Sequence, residues 1–183
     1  MAPELVIAVD RIPSEGWSAS FDLRSEQADA IARDRGWPRV DWVSGPEGNT
    51  RVLRSGGDVF VTGEVRAVVR CTCVRCLEGH ERAVTEAFHL TYVTDIDATP
   101  GEHELRPEDM EVEALPGDTV DVAGIAVEQV LLALPDHPVC HPDCRGLCPV
   151  CGTDRNRAPC DCRAQTPDPR LAALARWMPS RAS

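Results

Sequence analysis

The stretch DVFVTGEVRAVVRCTCVRCLEGHE, Asp58 to Glu81, alternates before it reaches three cysteines. Val59, Val61, Val65, Ala67 and Val69 fall on one side; Thr62, Glu64, Arg66 and Arg70 fall on the other. Successive side chains of a strand point to opposite faces, so this pattern predicts a half-buried strand. A second alternation runs through Val84, Phe88, Leu90 and Tyr92. The two runs pair naturally as a hairpin, with Cys71, Cys73 and Cys76 at or near its turn.

Working outward, ELVIAVD near the N-terminus reads as a short strand. Ser25 to Arg35 reads as a helix capped by Ser25 and stopped at Gly36. RVDWV and TRVLRS read as short strands around a turn, SGPEGN. Beyond the hairpin, Asp95 to Asp118 is acidic and bears prolines, which suits a solvated loop or a docking surface for a basic partner. Val122 to Leu134 reads as a helix capped by Asp121 and ended by Pro135. Apolar residues cover most of its circumference and leave Glu128 and Gln129 as a polar strip, so it should be largely buried. Past Pro135 the composition changes to Cys, Pro, Asp and Arg. TPDPRLAALARWM then suggests a terminal helix with Leu171, Leu174 and Trp177 on one face.

These elements predict an α+β body over residues 1–139, holding the hairpin and the buried helix, and a cysteine-rich segment with a short helix over 140–183. The sheet should be antiparallel, with a barrel-like form among the options.

The chain has 183 residues and a net charge of −11, and every basic residue is arginine. The charge is divided unevenly. Met1 to Val139 carries 26 acids and 12 arginines, a net of −14; the remainder carries 4 acids and 7 arginines, a net of +3. Binding nucleic acid through phosphates needs a clustered positive surface, which only the cysteine-rich tail offers. No apolar run approaches the roughly 20 residues of a membrane span. MAPELVIAVDRIPSEG lacks a basic start and carries Glu4 and Asp10, unlike a signal peptide. A cytoplasmic setting with reduced thiols is the expectation.

That setting bears on the nine cysteines, six of which lie in CHPDCRGLCPVCGTDRNRAPCDC, Cys140 to Cys162. An odd number in a reducing compartment argues against a disulfide framework. CVRC and CPVC have the form of redox motifs, but CPVCG runs into TDRN, which is turn chemistry and not the opening of a helix. Zinc fits better. Two cysteines separated by a two-residue turn can aim at one ion, and a following glycine lets the backbone bend around the sulfurs. Cys148, Cys151, Cys160 and Cys162 then form one four-thiolate site. Cys73 and Cys76 lack a second half, as do Cys140 and Cys144, and together they make a second set.

Other schemes stay open from spacing alone. There could be a single zinc, a two-metal cluster within the tail, or Cys71 in place of Cys76. Cys71 continues the inward face of its strand and reads as a buried core thiol. His137 and His141 could ligate, but read better as surface residues beside the site. Four thiolates close a coordination shell, so the metal should be structural. No nucleotide loop, nucleophile elbow or zinc-protease motif occurs, and nothing positive points to an enzyme.

VVRCTCVRCLE, a following strand, EQVLLALP, the six-cysteine run and DPRLAAL occur in that order. Over about Val59 to Leu174 the chain resembles the bacterial YceD family, the large ribosomal RNA subunit accumulation proteins. The family's C-x-R-C-L pattern falls on Cys73, Arg75, Cys76 and Leu77, leaving Cys71 outside. Its tail pattern falls on Cys140, Cys144, Gly146, Leu147, Cys148, Pro149, Cys151, Gly152, Asn156, Cys160 and Cys162. TDRN stands where many members have NLN. The resemblance implies a cytoplasmic, non-enzymatic role in ribosome biogenesis, with metal as a structural aid.

The expected partners are accordingly large-subunit ribosomal RNA, a basic ribosomal protein or an assembly intermediate. Arg145, Arg155, Arg157 and Arg163 are the candidate RNA contacts. Competing expectations are a zinc-stabilised interaction module outside the ribosome, and a thiol-redox or metal sensor.

Overall fold

The alternation of Val59, Val61, Val65 and Val69 becomes the buried face of a long strand, each of the four valines fully covered. A computed structural model describes residues 5–93, 112–162 and 170. Two short strands, β1 (Val6–Ala8) and β2 (Trp17–Asp22), precede helix α1 (Ser25–Asp34). Three long strands follow: β3 (Asp41–Ser55), β4 (Asp58–Thr72) and β5 (Gly79–Val93). Then come β6 (Val112–Ala114), β7 (Thr119–Asp121) and helix α2 (Val122–Ala133).

The main sheet runs β2-β3-β4-β5-β6, antiparallel except for β6, which pairs parallel to β5. β1 and β7 form a separate antiparallel ribbon. Among the described residues the sheet stays open, with β2 and β6 at its edges, so the barrel-like option is corrected. β6 adds only three residues to β5 and offers no long edge on which β2 could close. Helix α2 and the ribbon supply the cover instead, packing Ile125, Ala126, Val130 and Val120 against the valine face, Phe88 and Tyr92.

The predicted break of β3 at SGPEGN does not occur. One strand runs through it, with register shifts between Trp42 and Ser44 and between Ser44 and Glu47. Pro46 is fully buried and its carbonyl accepts from Leu23 N at 2.9 Å. A side chain at Gly45 would run into the Leu23 carbonyl, so glycine here serves a close approach of two backbones and not a turn.

Helix α1 starts at Ser25, but its cap residue is Arg24, whose N–H donates to Gln27 Oε1 at 3.0 Å. Gly36 stops it at φ +67°. Asp121 caps α2 as expected, its Oδ1 accepting from Gly124 N at 3.0 Å. The polar strip differs from expectation: Gln129 is buried, whereas Leu132 is 72% exposed. Gly124 leaves room for the Arg35 guanidinium, which pairs with Asp121 and lies over Trp37. Most of the acidic stretch and the terminal-helix expectation lie outside the described residues.

Candidate metal centre

The β4–β5 hairpin is complete up to the pair Thr72 and Gly79, so Cys73 to Glu78 forms its turn. Cys73 N donates to Glu78 O, and Leu77 N donates to Cys73 O, both at 2.9 Å. Leu77 takes the left-handed conformation at φ +62°, which lets the turn close with Cys73 and Cys76 both inward.

The tail lies against this turn through backbone groups. Val74 N donates to Pro138 O, and Leu147 N donates to Arg75 O, each at 2.9 Å. The Arg75 guanidinium reaches Pro142 O at 3.1 Å and Cys144 O at 3.0 Å. Gly146, at φ +66°, sits where a side chain would crowd the Arg75 carbonyl.

The thiols of Cys73, Cys76, Cys140 and Cys144 are thereby brought within 4.8 Å of one another. Cys73 Sγ stands 3.8 Å from Cys144 Sγ, and Cys76 Sγ 3.7 Å from Cys140 Sγ. Four sulfurs placed tetrahedrally at about 2.3 Å from a zinc ion would lie about 3.8 Å apart. The donor set and its spacing fit that ion.

Cys148, Cys151, Cys160 and Cys162 form the second quartet, again with all four sulfurs within 4.8 Å. Its knuckle is built locally. Gly152, at φ +73°, donates its N–H to Cys148 O at 2.9 Å, and Cys148 N donates to Thr153 O at 2.8 Å. The quartets differ in access: Cys73, Cys76 and Cys144 are buried in the first, whereas Cys151 and Cys162 are exposed in the second.

Each quartet sets easily ionised thiols beside resistant ones. Burial opposes ionisation of Cys73, but N–H groups of Cys76, Cys140 and Arg75 outweigh it and hold the thiol at about 5. The Thr153 hydroxyl and N–H hold Cys151 at about 6. N–H groups of Cys151 and Val150 bring Cys148 down. Their neighbours cannot follow. Burial and the thiols of Cys144, Cys76 and Cys73 push Cys140 up to about 12. Cys151, then burial and Cys148, push Cys162 up to about 12. Each quartet thus favours a first thiolate and resists the last, a resistance that a divalent cation would remove.

Cys71 belongs to neither quartet. It is half-buried against the core, less covered than expected, and faces His80 across the hairpin. His137 and His141 are exposed and lie outside both quartets. Arg157 is engaged by Glu78 at 3.0 Å and Asp154 at 3.5 Å. Arg145 and Arg155 are exposed, and Arg163 lies outside the described residues. Spacing had no means of finding two further features: the reach of Arg75 across to the tail, and the Asn156 amide, whose Nδ2 donates to Cys144 Sγ at 3.3 Å. Arg75 and Cys144 are remote in sequence, and Asn156 reaches back over a loop from one quartet to the other.

Among the described residues, no helix is long and apolar enough to cross a membrane. A family profile described as the large ribosomal RNA subunit accumulation protein YceD matches residues 61–176. Proteins described as uncharacterised from Mycobacterium bovis and Mycobacterium tuberculosis are 37% identical over 128 residues, covering 70% of this chain and 59% of theirs. One from Mycobacterium leprae is 30% identical over 114 residues, covering 62% of this chain and 51% of its own. The chain thus spans between half and three-fifths of the length of these relatives. No solved structure matches.

Proposed function

This chain belongs to the YceD family, and from that premise we propose that it is a non-enzymatic factor supporting the accumulation or assembly of large-subunit ribosomal RNA. The observation that carries the proposal is the family match over residues 61–176, which takes in the hairpin, α2 and both cysteine quartets. Its setting is the cytoplasm, and its partner is the large-subunit RNA, a basic ribosomal protein or an assembly intermediate. The charge division supports this. A body of net −14 suits a basic protein surface, and a tail of net +3 suits phosphate. Arg145 and Arg155, exposed beside the quartets, are the first candidates for RNA contact. Arg157 would have to leave Glu78 and Asp154 to join them.

Each quartet would hold one zinc ion: Cys73, Cys76, Cys140 and Cys144 the first, Cys148, Cys151, Cys160 and Cys162 the second. Both ions would be structural, because four thiolates leave no position open for water or substrate. The first ion would fasten the tail to the hairpin; the second would fold a segment too short for a core of its own.

The test is affinity capture from native cytoplasm at low salt, with and without RNase, identifying protein and RNA together. Large-subunit components should co-purify. Loss on RNase treatment assigns the contact to RNA, and persistence assigns it to a ribosomal protein. Recovery of neither precursor particles nor large-subunit components rejects the proposal. A single non-ribosomal partner would favour the interaction-module reading.

A further inference from the structure

A cleft of about 540 Å³ opens between the β1–β7 ribbon, the β5–β6 edge and helix α2, away from both cysteine quartets. That volume is typical of ligand sites. Its walls are partly apolar, with Leu115 and Ile125 among them. Tyr92 lines it from β5 and is only 5% exposed, and its hydroxyl has no hydrogen-bond partner among the described residues. Its hydroxyl is the part that stays in contact with the cleft, so a guest's N–H can take the place of water on it.

Besides Asp121, two carboxylates share the cleft, Glu113 from β6 and Glu128 from α2. Neither forms an ion pair among the described residues. Arg35 also lines the cleft, but its guanidinium is held by Asp121 and stacked on Trp37. Burial first, and then the charges of Glu113 and Glu128, push the Tyr92 hydroxyl up to about 12, so both carboxylates act on one point.

This combination selects the occupant's chemistry. An anion would meet Glu113, Glu128 and Asp121. A neutral apolar group would desolvate two carboxylates without compensation. A cation on an aliphatic stem satisfies every wall: methylenes against Leu115 and Ile125, charge between the glutamates, one N–H on the Tyr92 oxygen. We propose that this cleft receives an arginine or lysine side chain presented by a basic segment of a partner protein. The acidic body, net −14, would steer such a segment toward it. The site adds to the ribosomal reading without depending on it.

The full, metal-loaded chain is titrated with acetyl-Gly-Leu-Arg-Leu-Gly-amide and followed by amide NMR shifts. A second titration uses the same peptide with neutral citrulline for arginine. Shifts should centre on Tyr92, Leu115 and Ile125, and citrulline should weaken binding by about tenfold or more, as loss of a charge-assisted contact does. The double variant E113Q/E128Q should weaken the arginine peptide similarly, and Y92F by a few-fold. E47Q/E86Q, an equal charge change on exposed β3 and β5 positions, should leave it unchanged. Cation binding without any ribosomal capture would keep the cleft and reject the ribosomal reading; the converse result would do the reverse. Shifts spread over the acidic surface, equal binding of citrulline, equal loss in E47Q/E86Q, or no binding at millimolar peptide would overturn the cleft. Binding that tightens markedly in R106Q would make this chain's own arginine the occupant and equally overturn the partner.

Discussion

Asn156 Nδ2 donates to Cys144 Sγ at 3.3 Å, so a residue inside the loop of one quartet touches a sulfur of the other. The same amide is fixed from three sides. Its Oδ1 accepts from Arg145 N at 2.8 Å, and both its N–H groups, main-chain and side-chain, reach Asp154 Oδ1 at 2.9 and 2.8 Å. Hydrogen bonds to a ligating sulfur lower its charge and fix its position, and losing one commonly costs 10- to 100-fold in metal affinity. N156A should therefore speed zinc transfer from the hairpin quartet to a chelator by about tenfold while the total stays at two ions. N156D should be no better, because a carboxylate cannot donate and repels the thiolate. An unchanged rate in N156A would reduce this contact to loop packing.

The split of eight cysteines into two quartets predicts about two zinc ions per chain by elemental analysis. C73S should remove one and C148S the other. The ions should also leave in order. The second quartet, with Cys151 and Cys162 exposed, should yield to chelator before the first, whose Cys73 is fully buried. A single ion that survives C73S would contradict the split.

The tail quartet was legible in sequence because its logic is local, a two-residue knuckle and a glycine; joining Cys73 and Cys76 to Cys140 and Cys144 rested on arithmetic, and spacing left rival schemes open beside it. The hairpin was legible for the same reason, since a period of two survives in any context. What escaped were contacts between remote segments. Gly45 and Pro46 look like a turn until Leu23 is placed against them. Gln129 looks like an exposed position until the fold buries it. Tyr92, Glu113 and Glu128 lie on three elements, and no spacing rule joins them. Sheet closure was undetermined because it depends on what covers β6 and β2, which no strand encodes by itself.

Arg75 illustrates the intermediate case. Its place between Cys73 and Cys76 is visible in CVRC, but its work is done on Pro142 O and Cys144 O, across to the tail. Hydrogen bonds to charged groups are worth about 1.5–3 kcal/mol each, less where solvent competes. Arg75 is exposed, so R75A should cost about 2 kcal/mol in urea denaturation of the metal-loaded protein. R75K should recover only part, because an ammonium cannot span both carbonyls as the guanidinium fork does. An R75A variant as stable as the parent would show that zinc alone fastens the tail.

Glu128 should make stability depend on pH in the opposite sense to an ordinary ion-paired carboxylate. Burial raises its pKa above 4.5, the charge of Glu113 raises it further, and Arg35 opposes both. The other charged or titratable groups around the cleft are Asp121, already engaged by Arg35, and the Tyr92 hydroxyl, which stays neutral throughout. The folded state therefore holds the Glu128 proton more tightly than the unfolded chain. Its contribution is fully present below the ordinary glutamate value and is lost as pH rises through the higher folded value. E128Q should match the parent near pH 4 and be more stable at pH 7, by less than about 1 kcal/mol because the site is partly solvated. Urea denaturation of both proteins across this range isolates Glu128 from the other acids of the chain. If E128Q proves less stable than the parent at pH 7, the carboxylate is already compensated in the free protein, and the cleft needs no cation from a partner.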